Sequence, residues 1–263
     1  MNKPTVLFIH GLWLHPSSWV DWEKYFQKRG YKTMSPPWPG DSKSINAERK
    51  HPEYMNGVGI RETCDSYAGI ITRLNEPPIL IGHSFGGLIV QELLGRGIAA
   101  AAIAIDPAPI KGVWQLPFSA LKASSKVLLN PFNINKAVSL TYDDFRYGFA
   151  NALSDEEAKE LFEEYIVPAP GRPLFQVAFS SVNPNAPNKV NTKLSRGPLL
   201  ITGGERDHIA PPLFGKESLK KYSGDSVTEF IEFENRGHSL VVDSEWREVA
   251  EYVADWLEER LKI

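Results

Sequence analysis

Short apolar runs recur along the chain with helical patterns between them. Residues 5–9, 79–81, 101–105, 198–202 and 227–233 read as strands, with a weaker strand at 32–35. Apolar positions at helical spacing fall at 19–29, 60–74, 213–222 and 245–261. Another helix follows the 79–81 run, through Leu88, Ile89, Val90, Leu93 and Leu94. Strand then helix then strand is βαβ order, which predicts parallel strands joined by crossover helices.

The alternation stops between residues 107 and 196, where Pro, Phe, Tyr and Asn become frequent. Ser154 and Glu157 have the spacing of a capping box opening a helix over 158–165. A segment this long is no simple loop, and it lacks a periodic core of its own. The expectation is one domain, 1–263, with core segments 1–106 and 197–263 and a helical cap at 107–196. No internal repeat or low-complexity tract interrupts it.

Composition narrows the function classes. The 263 residues are 42% hydrophobic and 23% charged, ordinary for a globular protein, and the formal charge of -3 argues against a nucleic-acid partner. Cys64 stands alone, so no intramolecular disulfide or cysteine-rich metal site is available. No apolar stretch is long enough to span a bilayer, and the run at 5–9 is too short for a signal sequence. These observations lead to an expected cytoplasmic location and no membrane partner.

The chemistry centres on Gly82-His83-Ser84-Phe85-Gly86, a G-x-S-x-G turn between a buried strand and a helix. Pro77 and Pro78 mark off the strand from the preceding helix. A sharp turn at Ser84 requires strained backbone angles, and Gly82 and Gly86 let the flanking backbone pass closely. Such a turn exposes the hydroxyl at a helix N-terminus, so Ser84 is the candidate nucleophile.

With these residues and the strand order, the chain resembles the α/β-hydrolase-fold proteins of the esterase, lipase and haloperoxidase type. His10-Gly11 after the first strand, Gly203-Gly204-Glu205-Arg206-Asp207 after a late strand and Arg236-Gly237-His238 after the last match that family's pattern. The resemblance implies an α/β sheet of about six parallel strands flanked by helices. The family's usual antiparallel N-terminal hairpin is not expected, because only four residues precede Thr5.

By the same resemblance His238 is the base for Ser84 and Asp207 the carboxylate that orients it. Asp106, at the end of the 101–105 strand, is a rival acid, since some members of the fold carry theirs at that edge. His10, His15, His51, His83 and His208 compete less well with His238. A tetrahedral oxyanion needs two fixed donors. One is the Phe85 N–H, and by resemblance the other is the Leu12 N–H, with Trp13 as a weaker substitute.

Trp13, Trp38, Trp114, Phe118 and Phe145 are candidates for an apolar substrate pocket. The function expected is hydrolysis of a small to medium apolar carboxylic ester, with neither metal nor cofactor. Lactone, carbon–carbon and perhydrolytic chemistry use the same triad and stay open, as does a cofactor-free dioxygenase built on the His–Asp pair. A ligand receptor with an idle triad is the non-enzymatic alternative.

Overall fold

Strands and helices alternate in the computed structural model, which describes residues 3–263. The first half runs β1 (Val6–Ile9), α1 (Val20–Lys28), β2 (Thr33–Met34), α2 (Ile45–Lys50), α3 (Ile60–Ile71), β3 (Ile79–His83), α4 (Phe85–Gly95) and β4 (Ala101–Ile105). There follow α5 (Phe118–Leu128), β5 (Ala137–Val138), α6 (Tyr142–Gly148), α7 (Asp155–Tyr165), β6 (Ala169–Pro170) and α8 (Arg172–Ala178). The chain then returns through β7 (Leu199–Gly204), α9 (Pro212–Leu219), β8 (Thr228–Phe233) and α10 (Trp246–Leu261).

Six strands form one sheet in the order β2-β1-β3-β4-β7-β8, and every neighbouring pair is parallel. This is the sheet expected from the sequence. β5 and β6 make a separate antiparallel pair. The central strands β1, β3, β4 and β7 are buried at every position, which is why they read as unbroken apolar runs.

Register assigns the two faces. Phe8 lies opposite Ile81, and Ile9 opposite Gly82. On the Phe8 face the ring stacks on Trp19 at 5.0 Å and meets Trp22 and Phe26 edge-on, so α1 covers that side. On the other face, a Cβ at Gly82 would lie 2.2 Å from the Gly86 carbonyl oxygen. The missing side chain lets α4 cross β3 at backbone contact.

The stretch between β4 and β7 is helical and is fastened to the loops at one edge of the sheet. Val167 N–H donates to the Trp13 carbonyl at 3.0 Å, Ser239 Oγ to Phe149 O at 2.7 Å, and Asn151 Nδ2 to Arg206 O at 2.7 Å. Only half of the expected capping box forms. Ser154 Oγ accepts from Glu157 N at 3.2 Å, but the Glu157 carboxylate accepts from Ser244 N at 2.7 Å instead. That bond joins α7 to the segment after His238; the reciprocal box is made by Thr141 and Asp144. Among the described residues no helix is long and apolar enough to cross a membrane.

Candidate active site

Ser84 has φ 55° and ψ -118°, a conformation that costs a non-glycine residue about 1–3 kcal/mol. Both sides of the turn are pinned. Ser84 N–H donates to Ile105 O at 2.9 Å, and its own carbonyl accepts from Ala108 N at 3.0 Å and Leu88 N at 3.2 Å. At Gly86 a Cβ would sit 2.1 Å from Ile9 O, so α4 can start here only with glycine at that place. Ser84 thus stands between the end of β3 and the N-terminus of α4, where the first amide groups of a helix lack internal partners.

His238 is fully buried in the loop after β8, and Asp207 is buried in the loop after β7. His238 Nδ1 donates to Asp207 Oδ2 at 2.6 Å. The other oxygen of Asp207 accepts from Ile209 N at 2.7 Å and Ala210 N at 2.9 Å, so the carboxylate is held from two sides. With its proton on Nδ1, the imidazole keeps a lone pair on Nε2, which is buried and has no protein partner. The ring lies 4.6 Å from that of His83, the residue before Ser84, and its edge partner is Phe149 at 4.9 Å.

Asp106 occupies the same sheet edge. Its Oδ1 accepts from Gly204 N at 2.9 Å, and no hydrogen bond joins it to His238. Burial, then the neighbouring charge of Asp207, push the Asp106 carboxyl well above the usual carboxylate range. His83 Nε2 donates to the His238 carbonyl at 2.8 Å, and burial followed by the proximity of His238 holds its pKa well below normal. His83, Asp106 and His238 bring possible ligand atoms within 4.8 Å of one another, the one such group among the described residues. His238 Nδ1 and Asp106 Oδ1 are engaged by protein atoms, while His83 Nδ1, Asp106 Oδ2 and His238 Nε2 are buried without a hydrogen-bond partner.

The loop after β1 presses on the turn. A Cβ at Gly11 would come within 2.6 Å of Ser84 Cβ and 2.9 Å of the His83 carbonyl, so the backbone just before Leu12 lies against the turn. Neither the Leu12 nor the Phe85 N–H has a hydrogen-bond partner among the described residues. Trp13 adopts φ 64°, rare for a bulky residue. The helical insertion holds it there, since Trp13 Nε1 donates to Val138 O at 2.9 Å and Trp13 O accepts from Val167 N.

Behind this loop lies a buried polar cluster that no sequence motif announces. His10 Nδ1 donates to Gly11 O and Nε2 to Asp41 Oδ2, both at 2.9 Å, so both ring nitrogens face acceptors. Burial opposes charge on His10, but Asp41, by charge and by hydrogen bond, overrides it and raises the pKa. Glu48, also buried, is pushed up to about 7 by burial first and by Asp41 second. The one hint in sequence was His10-Gly11 itself; Asp41 and Glu48 lie 31 and 38 positions further on, brought in by the fold.

The aromatic candidates divide. Trp13 and Phe145 are buried near His238: Trp13 meets Phe149 edge-on at 6.1 Å, and Phe145 stacks on the same ring at 5.5 Å. Trp38 is buried against His10, with Nε1 donating to the His10 carbonyl at 3.1 Å, so it supports the loop rather than lining a cavity. Trp114 and Phe118, also expected to line a pocket, are not among the buried aromatic residues near His238. They are 63% and 80% exposed: Trp114 precedes α5, and Phe118 opens that helix on the side away from its buried Val127.

The comparisons with known proteins agree with this architecture. The model of the alpha/beta hydrolase family matches residues 6–252. No curated protein matches the chain in sequence. A monoacylglycerol lipase from Paleococcus ferrophilus superposes with a TM-score of 0.72 at 22% identity, covering 97% of this chain and 94% of its own. An extracellular alpha/beta-hydrolase from a Paenibacillus species gives 0.68 at 22%, covering 96% and 98%. A methylesterase from Arabidopsis gives 0.65 at 16%, covering 97% and 99%. At these identities the likeness is one of fold. The family match spans the sheet, the turn at Ser84 and the loops carrying Asp207 and His238, and the chain belongs to the alpha/beta hydrolase family.

Proposed function

We propose that the protein is a serine hydrolase that cleaves a carboxylic ester of a small to medium apolar molecule through an acyl-enzyme on Ser84. The observation that carries this reading is the 2.6 Å bond from His238 Nδ1 to Asp207, which leaves a buried Nε2 without a partner on a ring 4.6 Å from that of His83, the residue before the strained Ser84. Ser84 Oγ attacks the ester carbonyl and its proton passes to His238 Nε2. The carbonyl oxygen becomes an oxyanion held by the Leu12 and Phe85 amides. As the tetrahedral species collapses, the bond to the alcohol breaks and His238 returns the proton to the leaving oxygen. Water, deprotonated by the same nitrogen, then releases the acid and restores Ser84.

Asp207 keeps the proton on Nδ1 and stabilises the imidazolium formed in each step. Asp106, whose carboxyl burial and the Asp207 charge push upward, is bonded to Gly204 N–H and not to the imidazole. Residues 107–196 act as the cap, and its part around Phe145 and Phe149, together with Trp13, forms the apolar wall nearest His238 that shapes the acyl site. The ester-cleaving names among the structural relatives, a lipase and a methylesterase, support the substrate class.

The test is nitrophenol release from acyl esters of increasing chain length by wild type and Ser84→Ala. Turnover by wild type alone is expected, with a chain-length optimum set by the cap. Equal turnover by Ser84→Ala would remove Ser84 from the mechanism.

A further inference from the structure

Helix α5 buries one apolar side and leaves large apolar residues on its outer side as well. Ala123 meets Gly148 of α6, where an added Cβ would lie 3.8 Å away, and Val127 is fully buried. The outward stripe at i, i+3, i+7 and i+11 is Phe118, Leu121, Ser125 and Leu129, three of them large and apolar. Trp114 and Leu116 precede the helix, and Phe132 and Ile134 follow it in the short turn Pro131–Asn135. Trp114, Leu116, Phe118, Leu129 and Phe132 are between 63% and 83% exposed. Single exposed apolar residues are normal on a protein surface, but a run of them within 21 consecutive positions marks a binding face.

Charge selects the partner. Residues 107–142 contain four lysines and no aspartate or glutamate, in a chain whose net charge is -3. Lys126 pairs with Asp144, Lys122 lies 3.9 Å over the Tyr147 ring, and Lys136 is exposed. Lys111 is bonded to the Asn183 carbonyl, which leaves Lys122 within the exposed apolar run and Lys136 just after it, a pairing that suits a layer with an apolar interior and anionic headgroups. A second copy meeting this face by two-fold symmetry would set lysines against lysines.

The face also lies at the nucleophile's edge of the sheet. The segment leaves β4 at Asp106, and its Ala108 N–H donates to the Ser84 carbonyl. α5 rests on α6, whose Phe145 stacks on Phe149, the ring against His238. We propose that the face formed by residues 114–134 docks on an anionic lipid surface and that the enzyme draws its ester substrate from that layer. The second half rests on the hydrolase reading and the docking does not.

The full chain carrying Ser84→Ala is floated with phosphatidylcholine vesicles, with and without phosphatidylglycerol. Binding to the anionic vesicles is expected, at least about tenfold weaker without phosphatidylglycerol or with Lys122→Gln and Lys136→Gln. Leu116→Ser, Leu129→Ser and Phe132→Ser together should abolish it, with an unchanged melting temperature and, on the wild-type background, undiminished hydrolysis of a water-soluble ester. Failure to float overturns the docking, as does a dimer in solution that the triple serine variant dissolves. Failure of wild type to hydrolyse any soluble ester overturns the hydrolase reading and leaves the flotation result to stand by itself.

Discussion

Two buried carboxyl groups meet at one edge of the sheet, and only Asp207 reaches the imidazole. In the proposed mechanism Asp207→Asn leaves the geometry but offers His238 the wrong tautomer, and kcat should fall roughly a thousandfold or more. Asp106→Asn keeps an acceptor for Gly204 N–H and removes no bond to His238, so its loss should stay under about tenfold. Steady-state kinetics of the two variants decide between them, and a larger loss at Asp106 would make it the acid. Glu48 gives a second test, this one of stability. The folded chain holds its proton up to about pH 7 and the unfolded chain releases it near 4.5. The native state therefore binds more protons across that window, and stability falls as pH rises through it. Glu48→Gln should raise the urea midpoint at pH 8 while leaving it little changed at pH 4, and a midpoint unchanged at both would show that Glu48 ionises freely.

At the level of elements, the strands, α4 and α10 were legible because burial on two faces, or an amphipathic stripe, dictates their residue types. The turn at Ser84 was legible because its two glycines answer to backbone contacts of 2.2 and 2.1 Å. Gly86→Ala would push the start of α4 away from β1 and should cost both activity and more than about 2 kcal/mol of stability, read by denaturant unfolding. The insertion was legible only as helical and long. Its short helices and turns depend on what they dock against, so Glu157 abandons its own cap for Ser244, and α5 buries Val127 and sets Ala123 against Gly148 while Phe118 stays outside. Aromatic content alone therefore pointed Trp114 and Phe118 toward a pocket, while the packing turns them outward. The link from insertion to loop has its own test. Trp13→Phe removes the bond to Val138 O, worth about 1 kcal/mol, and frees the loop carrying Leu12 N–H. kcat should fall several-fold with little change in melting temperature, whereas unchanged kcat would uncouple the insertion from the loop.

Across the whole molecule, one parallel sheet brings residues from distant segments to a single edge: Gly11 and Leu12 after β1, Ser84 after β3, Asp106 after β4, Asp207 after β7 and His238 after β8. Topology alone makes them neighbours, which is why family-like motifs spread along the chain could be read before the fold was known. The His10–Asp41–Glu48 cluster was not readable in that way, because its members share no motif and meet only through the path of the loop after β2. The central claim is that this edge arms Ser84 as a nucleophile. The most direct measurement is mass spectrometry of the intact chain and its peptides after reaction with a fluorophosphonate. One adduct per chain on the peptide bearing Ser84, absent in Ser84→Ala and formed far more slowly in His238→Ala, is the predicted result. An adduct at another residue, or labelling at Ser84 as fast without His238 as with it, would contradict the account.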